Sequence, residues 1–195
     1  MEIILSIILI FLSYILGSLP FGLLISKIFG YGDIRSIGSG NIGATNVLRT
    51  GNKKIALIVL LLDFLKCYLP TFLIYSYFDN NIGCLCGLFS ILGHIYPIWL
   101  KFKGGKGVSC LYGFVFAINP IFFLIILAVW IFTALVTRFS SMGSIISTIT
   151  TVFLFFIYDS NINIVIPLTI ALVIIFQHRG NIKRLLNKTE NKIKL

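Results

Sequence analysis

Charge is scarce in this chain: 6 of its 195 residues are Asp or Glu, and charged residues of both signs amount to 11%. Histidine and tryptophan occur twice each, cysteine four times. So little charge excludes an ordinary water-soluble domain, which covers itself with mixed charge. The cysteines exclude a zinc or redox motif, because Cys84-Leu-Cys86 lacks both the spacing and the partners. Cys67, Cys84, Cys86 and Cys110 all lie within or at the ends of apolar runs and read as packing residues. No internal repeat and no low-complexity tract is present. No basic segment precedes the first apolar run and no clear small-residue cleavage site follows it, so Ile3–Leu16 reads as a retained helix rather than a signal peptide.

What fills the chain instead is hydrophobic: 58% of residues, with a mean hydropathy of +1.03. This predicts an all-α fold, a polytopic transmembrane helix bundle, organised as a single integral membrane domain over 1–195. Apolar runs fall near 3–25, 55–78, 82–100, 108–118, 120–137, 142–158 and 162–178, with turn-forming connectors at Asp79-Asn80-Asn81, Asn119-Pro120, Ser140-Ser141 and Asp159-Ser160-Asn161. Fifteen of the sixteen Lys and Arg residues lie in 26–54, in 101–106, at Arg138 or in the tail from Arg179 onward. Cytoplasmic connectors carry such an excess, so the pattern predicts seven spans with the N-terminus outside and the C-terminus cytoplasmic. The run 108–118 is short: it would reach about 16 Å as a helix, roughly half of a ~30 Å hydrocarbon core. It is expected as a short crossing in a protein-lined region, the alternative being a re-entrant hairpin with 120–137. The net charge of +10 follows from this bias and from attraction to anionic head groups; nucleic acid is not an expected partner.

Two polar stretches stand out against this background. Ser36–Arg49 reads Ser-Ile-Gly-Ser-Gly-Asn-Ile-Gly-Ala-Thr-Asn-Val-Leu-Arg, and Lys101–Gly107 reads Lys-Phe-Lys-Gly-Gly-Lys-Gly. Lipid cannot satisfy such backbone, so both must lie in water or line a polar cavity. Gly38, Gly40 and Gly43 permit close approach to a ligand, and turn amides can form an anion nest. Ser39, Asn41, Thr45 and Asn46 add neutral donors, and Arg49 a planar cation suited to bidentate phosphate contact. In the second stretch Lys106 sits among Gly104, Gly105 and Gly107, beside accessible amides. It is no Walker A loop, which rejects nucleotide hydrolysis. A helix beginning at 108 would aim its N-terminal amides at whatever the loop binds. Lys101 and Lys103 read first as interfacial snorkelling lysines. The two stretches together predict a site for a small phosphorylated ligand at a membrane surface.

Other residues are more ambiguous. His94, in Gly-His-Ile-Tyr-Pro, lies near the cytoplasmic end of its span and by itself reads as structural. His178 and Asn181 open the basic tail at the membrane surface. Asp63 and Lys66 are i, i+3 within an apolar run and can neutralise each other, which favours a structural role. Gly17–Gly22 and Ser144–Thr151 offer small-residue surfaces for helix packing, and Pro20 is placed to kink the first helix.

The motifs resemble, nearly end to end, those of the bacterial acyl-phosphate:glycerol-3-phosphate acyltransferase family. They run Gly-Ser-Leu-Pro-Phe-Gly-Leu-Leu-Ile-Ser-Lys (17–27), Asp33–Arg49, Leu-Leu-Asp-Phe-Leu-Lys (61–66), Gly-His-Ile-Tyr-Pro (93–97), Phe-Lys-Gly-Gly-Lys-Gly-Val (102–108), Arg-Phe-Ser-Ser (138–141) and His-Arg-Gly-Asn-Ile-Lys-Arg-Leu-Leu (178–186). The resemblance implies a multi-pass enzyme of the bacterial cytoplasmic membrane, its site facing the cytoplasm, with no metal and no cofactor. Its reaction moves a fatty acyl group from acyl phosphate to the 1-hydroxyl of glycerol 3-phosphate, giving lysophosphatidic acid and phosphate. Its matching functional positions are Ser39, Arg49, His94, Lys106 and Asn181, with Thr45 and Asn46 beside the first two. Its partners are those two substrates, membrane lipids and a soluble enzyme that forms acyl phosphate. Cys67, Cys110, Gly180 and Lys188 depart from the family pattern without touching the central positions, and the His-x4-Asp motif of other glycerophosphate acyltransferases is absent.

The residue inventory suits that chemistry. An acyl phosphate is already activated, so positioning and electrostatic stabilisation of the oxyanion and leaving phosphate suffice. The general base stays open among His94, Ser39 and substrate phosphate. Two competing readings are a transporter of a phosphorylated metabolite, disfavoured by small size and missing repeats, and an acyltransferase with a thioester donor.

Overall fold

The computed structural model describes residues 2–159 and 161–193; Ser160 of the 159–161 connector and Lys194 of the basic tail lie outside them. All regular structure among these residues is helical. The helices are α1 (Glu2–Gly17), α2 (Phe21–Ile28), α3 (Ala44–Val47), α4 (Lys53–Tyr77), α5 (Asn80–Ile95), α6 (Val108–Ile118), α7 (Pro120–Thr137), α8 (Ser140–Tyr158), α9 (Val165–Gln177) and α10 (Arg179–Leu186). Five segments are long and apolar enough to cross a membrane: 2–28, 53–77, 80–100, 120–137 and 140–158. The bent pair α9–α10, with a 55° angle, would be a sixth. α6 is apolar but short, as its sequence predicts. Lipid-side exposure of large apolar residues, such as Ile3, Phe132 and Phe156, accords with this reading.

The helix boundaries follow local chemistry. The Asn52 and Asp79 side chains accept from the Ile55 and Ile82 amides and so cap α4 and α5. Asn119 accepts from the Ile121 and Phe122 amides, with Pro120 at the first helical position of α7. At Pro20 the first span is not merely kinked but divided into α1 and α2.

The chain forms two compact units, divided after Phe114. In the first, α1 packs on α5 through glycines: a Cβ at Gly17 would collide with the Ser90 backbone, and one at Gly93 with the Tyr14 carbonyl. Such close approach brings polar groups within reach, and Tyr14 Oη donates to the Tyr96 carbonyl at 2.7 Å while Trp99 Nε1 donates to Ser18 Oγ at 2.9 Å. Gly113 of α6 similarly abuts the Phe64 carbonyl of α4. In the second unit, α8 buries Ser144, Ser147, Thr148 and Thr151, the small-residue face expected from its sequence. Gly143 and Ser144 of that helix meet Trp130, whose Nε1 donates to Ser144 Oγ at 3.2 Å. All four cysteines are buried and unpaired in disulfides, which fits packing residues.

Candidate active site

The loop from Asp33 to Thr50 is organised around one amide. Asn46 is buried, and its Nδ2 donates to the Ile34 and Ile37 carbonyls at 2.8 and 3.2 Å. Its Oδ1 accepts from the Ser39 amide at 3.0 Å, from Ser39 Oγ at 3.3 Å and from Arg49 Nη1 at 3.2 Å. The side chain is therefore fully engaged inside the loop and holds Ser39 and Arg49 in position. Gly38 takes a φ of +57°, and a side chain there would strike both Asn46 and the Arg49 guanidinium, so the turn needs glycine twice over. Gly38, Ser39, Gly40, Thr45 and Arg49 remain exposed; Asn41 and Gly43 are half-buried, with Asn41 Oδ1 accepting from the Ile42 amide at 2.9 Å. Beneath the loop, Ile34, Ile42 and Val47 pack against Leu23, Ile55 and Val59, which anchors it to α2 and α4. At the loop's start, Arg35 donates to the Asp33 carboxylate through Nε and Nη2, and this holds Asp33 down at about 2.

The second loop is pinned to the end of α5. The Gly104 amide donates to the Ile95 carbonyl and the Gly105 amide to that of His94, each at 3.0 Å. Two non-glycine residues precede them in the left-handed region, Lys101 at φ +51° and Phe102 at +61°. Such strain costs of order 1 kcal/mol each and concentrates where geometry matters. A Cβ on Gly105 would fall on Nε2 and Cε1 of the His94 ring. The imidazole thus lies directly against the loop backbone, next to Lys106, which is half-buried. Lys101 and Lys103 are exposed, as interfacial lysines would be.

Behind His94 is a buried charge cluster. Lys66 Nζ pairs with Asp63 Oδ1 at 2.8 Å, both side chains nearly inaccessible. Lys66 also donates to the Leu19 carbonyl at 2.9 Å and lies 5.6 Å from the centre of the Phe21 ring. At the break around Pro20 that carbonyl accepts only the Phe21 amide, at 3.0 Å, from its own segment, so the divided first helix leaves it open to the intramembrane lysine as well. His94 Nδ1 lies 3.5 Å from Asp63 Oδ1 and makes no hydrogen bond, an electrostatic approach rather than a bond. Ser90 and Cys110 donate to the Lys66 and Asp63 carbonyls, at 2.9 and 3.1 Å, fastening α5 and α6 to this part of α4.

Asn181 belongs to the second unit. It is buried on α10, and its Nδ2 donates to Glu190 Oε1 at 2.6 Å. His178, expected at the interface, is also buried, with Nδ1 2.8 Å from the Ile174 carbonyl. Four of the five expected catalytic positions, Ser39, Arg49, His94 and Lys106, lie in the first unit. Within it the structure joins Ser39 to Arg49 through Asn46, and His94 to the 104–107 loop. The reading from sequence named Asp63 but missed its approach to His94, and it missed the inward turn of Glu190, a lone carboxylate in a tail otherwise rich in Lys and Arg.

Comparison with known proteins places the chain in one family. The family described as glycerol-3-phosphate acyltransferase matches residues 7–188. A glycerol-3-phosphate acyltransferase of Pelagibacter ubique is 44% identical over 183 residues, 94% of this chain and 95% of the relative. One from Ehrlichia ruminantium is 46% identical over 191 residues, 97% of each. Crystal structures of PlsY (YgiH), an integral membrane glycerol 3-phosphate acyltransferase, are similar with TM-scores of 0.93 and 0.91 at 39% and 38% identity. The first is a glycerol 3-phosphate form covering 97% of this chain and 96% of that one; the second is a lysophosphatidic acid form covering 97% and 95%.

Proposed function

Because the chain belongs to the glycerol-3-phosphate acyltransferase family, we propose that it transfers a fatty acyl group from acyl phosphate to the 1-hydroxyl of glycerol 3-phosphate. The products are lysophosphatidic acid and inorganic phosphate. The observation that carries this reading is the pair of rigidly tied, cation-bearing loops in one compact unit, on a fold shared with PlsY in its substrate and product forms.

In the reaction the substrate hydroxyl oxygen bonds to the acyl carbonyl carbon, and the carbon–oxygen bond to phosphate breaks. The hydroxyl proton leaves as that bond forms, and the departing phosphate is a competent final acceptor. Arg49 grips a phosphoryl group through its planar fork. Ser39, fixed by Asn46, orients glycerol 3-phosphate alongside the amides of Gly38, Asn41 and Gly43, with Thr45 at the rim and the Gly40 amide closing the turn onto the Ile37 carbonyl. Lys106 and the Gly107 backbone, followed by the positive end of α6, stabilise charge on the acyl phosphate, while Gly104 and Gly105 hold the loop against the end of α5. His94 hydrogen-bonds the reacting groups through Nε2. The resemblance assigns Asn181 of α10 a part in the same reaction. These groups supply fixed dipoles and cations where charge develops, which is where electrostatic catalysis acts.

The chain works as one integral membrane domain of seven crossings, α6 being the short one, in the bacterial cytoplasmic membrane. Its basic loops face the cytoplasm, where glycerol 3-phosphate and a soluble acyl-phosphate-forming enzyme supply the substrates. Purified protein in detergent, given acyl phosphate and labelled glycerol 3-phosphate, is expected to form lysophosphatidic acid. Failure to do so, or equal rates with an acyl thioester, would overturn the donor assignment, and product without compartments excludes a pure transporter.

A further inference from the structure

Asp63 and Lys66 are buried charges that the reaction above leaves unused. They lie within the apolar helix α4, with side chains 3% and 1% exposed. A counter-ion for Lys66 would account for the acid if nothing else stood beside it. Yet Asp63 Oδ1 is also 3.5 Å from His94 Nδ1, a buried nitrogen without a hydrogen bond. Buried polar atoms left so are uncommon, and each asks for a reason. The other ring nitrogen, Nε2, lies with Cε1 against position 105 of the second loop. The imidazole therefore bridges the acid of α4 and the loop that carries Lys106. Cys110 Sγ donates to the Asp63 carbonyl at 3.1 Å and Ser90 Oγ to the Lys66 carbonyl at 2.9 Å, which keeps this turn of α4 in register with the ring.

The chemistry of imidazole then restricts what His94 can do. Lys66 already balances the Asp63 charge at 2.8 Å, so the ring beside this pair is neutral and carries a single N–H. A lone pair on Nδ1 would face a carboxylate oxygen and be repelled, whereas an N–H there is attracted to it. The hydrogen therefore sits on Nδ1, and Nε2 is left as an acceptor. A fully ionised phosphoryl group offers acceptors only, so such a nitrogen cannot bind one, but a hydroxyl can donate to it. We propose that Asp63 is a positioning residue, fixing His94 as the Nδ1–H tautomer so that Nε2 accepts from the 1-hydroxyl of glycerol 3-phosphate rather than contacting phosphate. The proposal rests on the acyltransferase reading for the identity of that hydroxyl. As the hydroxyl oxygen bonds to the acyl carbon, its proton passes to Nε2 and the carbon–oxygen bond to phosphate breaks. The Nδ1–H then closes on Asp63 and steadies the imidazolium, since long contacts of this kind tighten once substrate is bound. The proton on Nε2 goes on to the departing phosphate, and Asp63 takes none.

The test is nitrogen NMR of the full-length protein in detergent with 15N-labelled imidazole, joined to initial rates of acyl transfer. The chain has two histidines, so the signals that vanish in His94→Gln belong to His94. In the parent the bare nitrogen is expected to be Nε2 and the hydrogen-bearing one Nδ1. An Nε2–H ring, or one protonated on both nitrogens, overturns the proposal without any substitution at Asp63. Asp63→Leu combined with Lys66→Met removes both charges together, which strands neither. That double variant should show both tautomers. Its kcat should fall about 10- to 100-fold, the usual loss when the group that orients an imidazole is removed, with KM for glycerol 3-phosphate nearly unchanged. A double variant that keeps the Nδ1–H tautomer alone, or one that loses it at undiminished kcat, overturns the proposal and leaves Asp63 as the counter-ion of Lys66. If the double variant fails to fold, the tautomer of the parent decides. Acyl transfer by a protein with an Nε2–H ring sinks the proposal and spares the acyltransferase reading; an Nδ1–H ring in a protein without acyl transfer does the reverse.

Discussion

The imidazole of His94 stands where a side chain at position 105 would have to go. The contact lets a ring from α5 and a loop that returns eleven residues later share one wall of the candidate site, with the Gly105 amide hydrogen-bonded to the His94 carbonyl. Gly105→Ala forces one of the two aside. A forced shift in a packed site costs about 1–3 kcal/mol. Melting of the purified variant should register that loss. Turnover should fall by about tenfold or more, because displacing catalytic groups by an ångström is costly. Normal turnover with normal stability would show that the loop and ring are not held against each other.

Arg49 and Asn46 touch, but they should fail differently. Arg49 is exposed and makes one hydrogen bond inside the loop, so Arg49→Ala should leave the melting temperature nearly unchanged. It should lower kcat/KM for glycerol 3-phosphate by about 10²–10³, the usual loss for a preorganised donor at developing charge. Arg49→Lys should recover little, since an ammonium lacks the fork. Asn46→Ala instead strands the Ser39 amide and takes one of two donors from each of the Ile34 and Ile37 carbonyls, which keep only the Ile37 and Gly40 amides. Its cost should be about 2–4 kcal/mol in stability together with lost activity. An Asn46 variant as stable as the parent would remove the amide's organising role.

How much of this was legible beforehand depends on how far each contact reaches along the chain. The loop residues 36–49 and 101–107 announced themselves because polar, glycine-dense sequence has no place in lipid. Asp63–Lys66 was legible because i, i+3 fixes a shared helix face. The approach of Asp63 to His94, 31 positions away, was not: it depends on how α4 and α5 register against each other, which is set by close packing at Gly83 against Tyr75 and Gly87 against Thr71 rather than by local pattern. The division of the first span at Pro20 was half-legible. The proline suggested a kink, but nothing local shows that Lys66 of another helix reaches the Leu19 carbonyl at a full break. Glu190 was hidden for the opposite reason, since a tail counted by its cations gives no cue that its one carboxylate folds inward.

The Asp33–Arg35 pair makes a pH prediction. Hydrogen bonds from Arg35 hold Asp33 at about 2, below its ordinary 3.8. A carboxyl depressed in the folded state contributes stability above its unfolded pKa, and this is lost as pH falls through the folded value. The window is therefore from about 4 down to about 2, and the contribution is small because the pair faces solvent. A carbon-detected titration of Asp33 should give a midpoint near 2 in the parent and near the ordinary value in Arg35→Ala. An unshifted midpoint in that variant would mean that Arg35 is not the cause.

The buried pair of Asp63 and Lys66 should behave as a unit. Each ion is excluded from water, and each has a partner: Asp63 has Lys66 at 2.8 Å, and Lys66 has in addition the Leu19 carbonyl. Removing one member strands a charge, so Asp63→Asn and Lys66→Met should each cost about 3–5 kcal/mol. The double variant should lose less than the sum, because neither charge is left alone. The Leu19 carbonyl would lose the charged donor and keep only the Phe21 amide, which limits the recovery and keeps the double variant below the parent. A cycle on reversible unfolding in detergent would measure this coupling directly. Additive losses would mean that the ions are stabilised separately, and that the nearby approach of Asp63 to His94, rather than the ion pair, is the reason an acid lies so deep in the helix bundle.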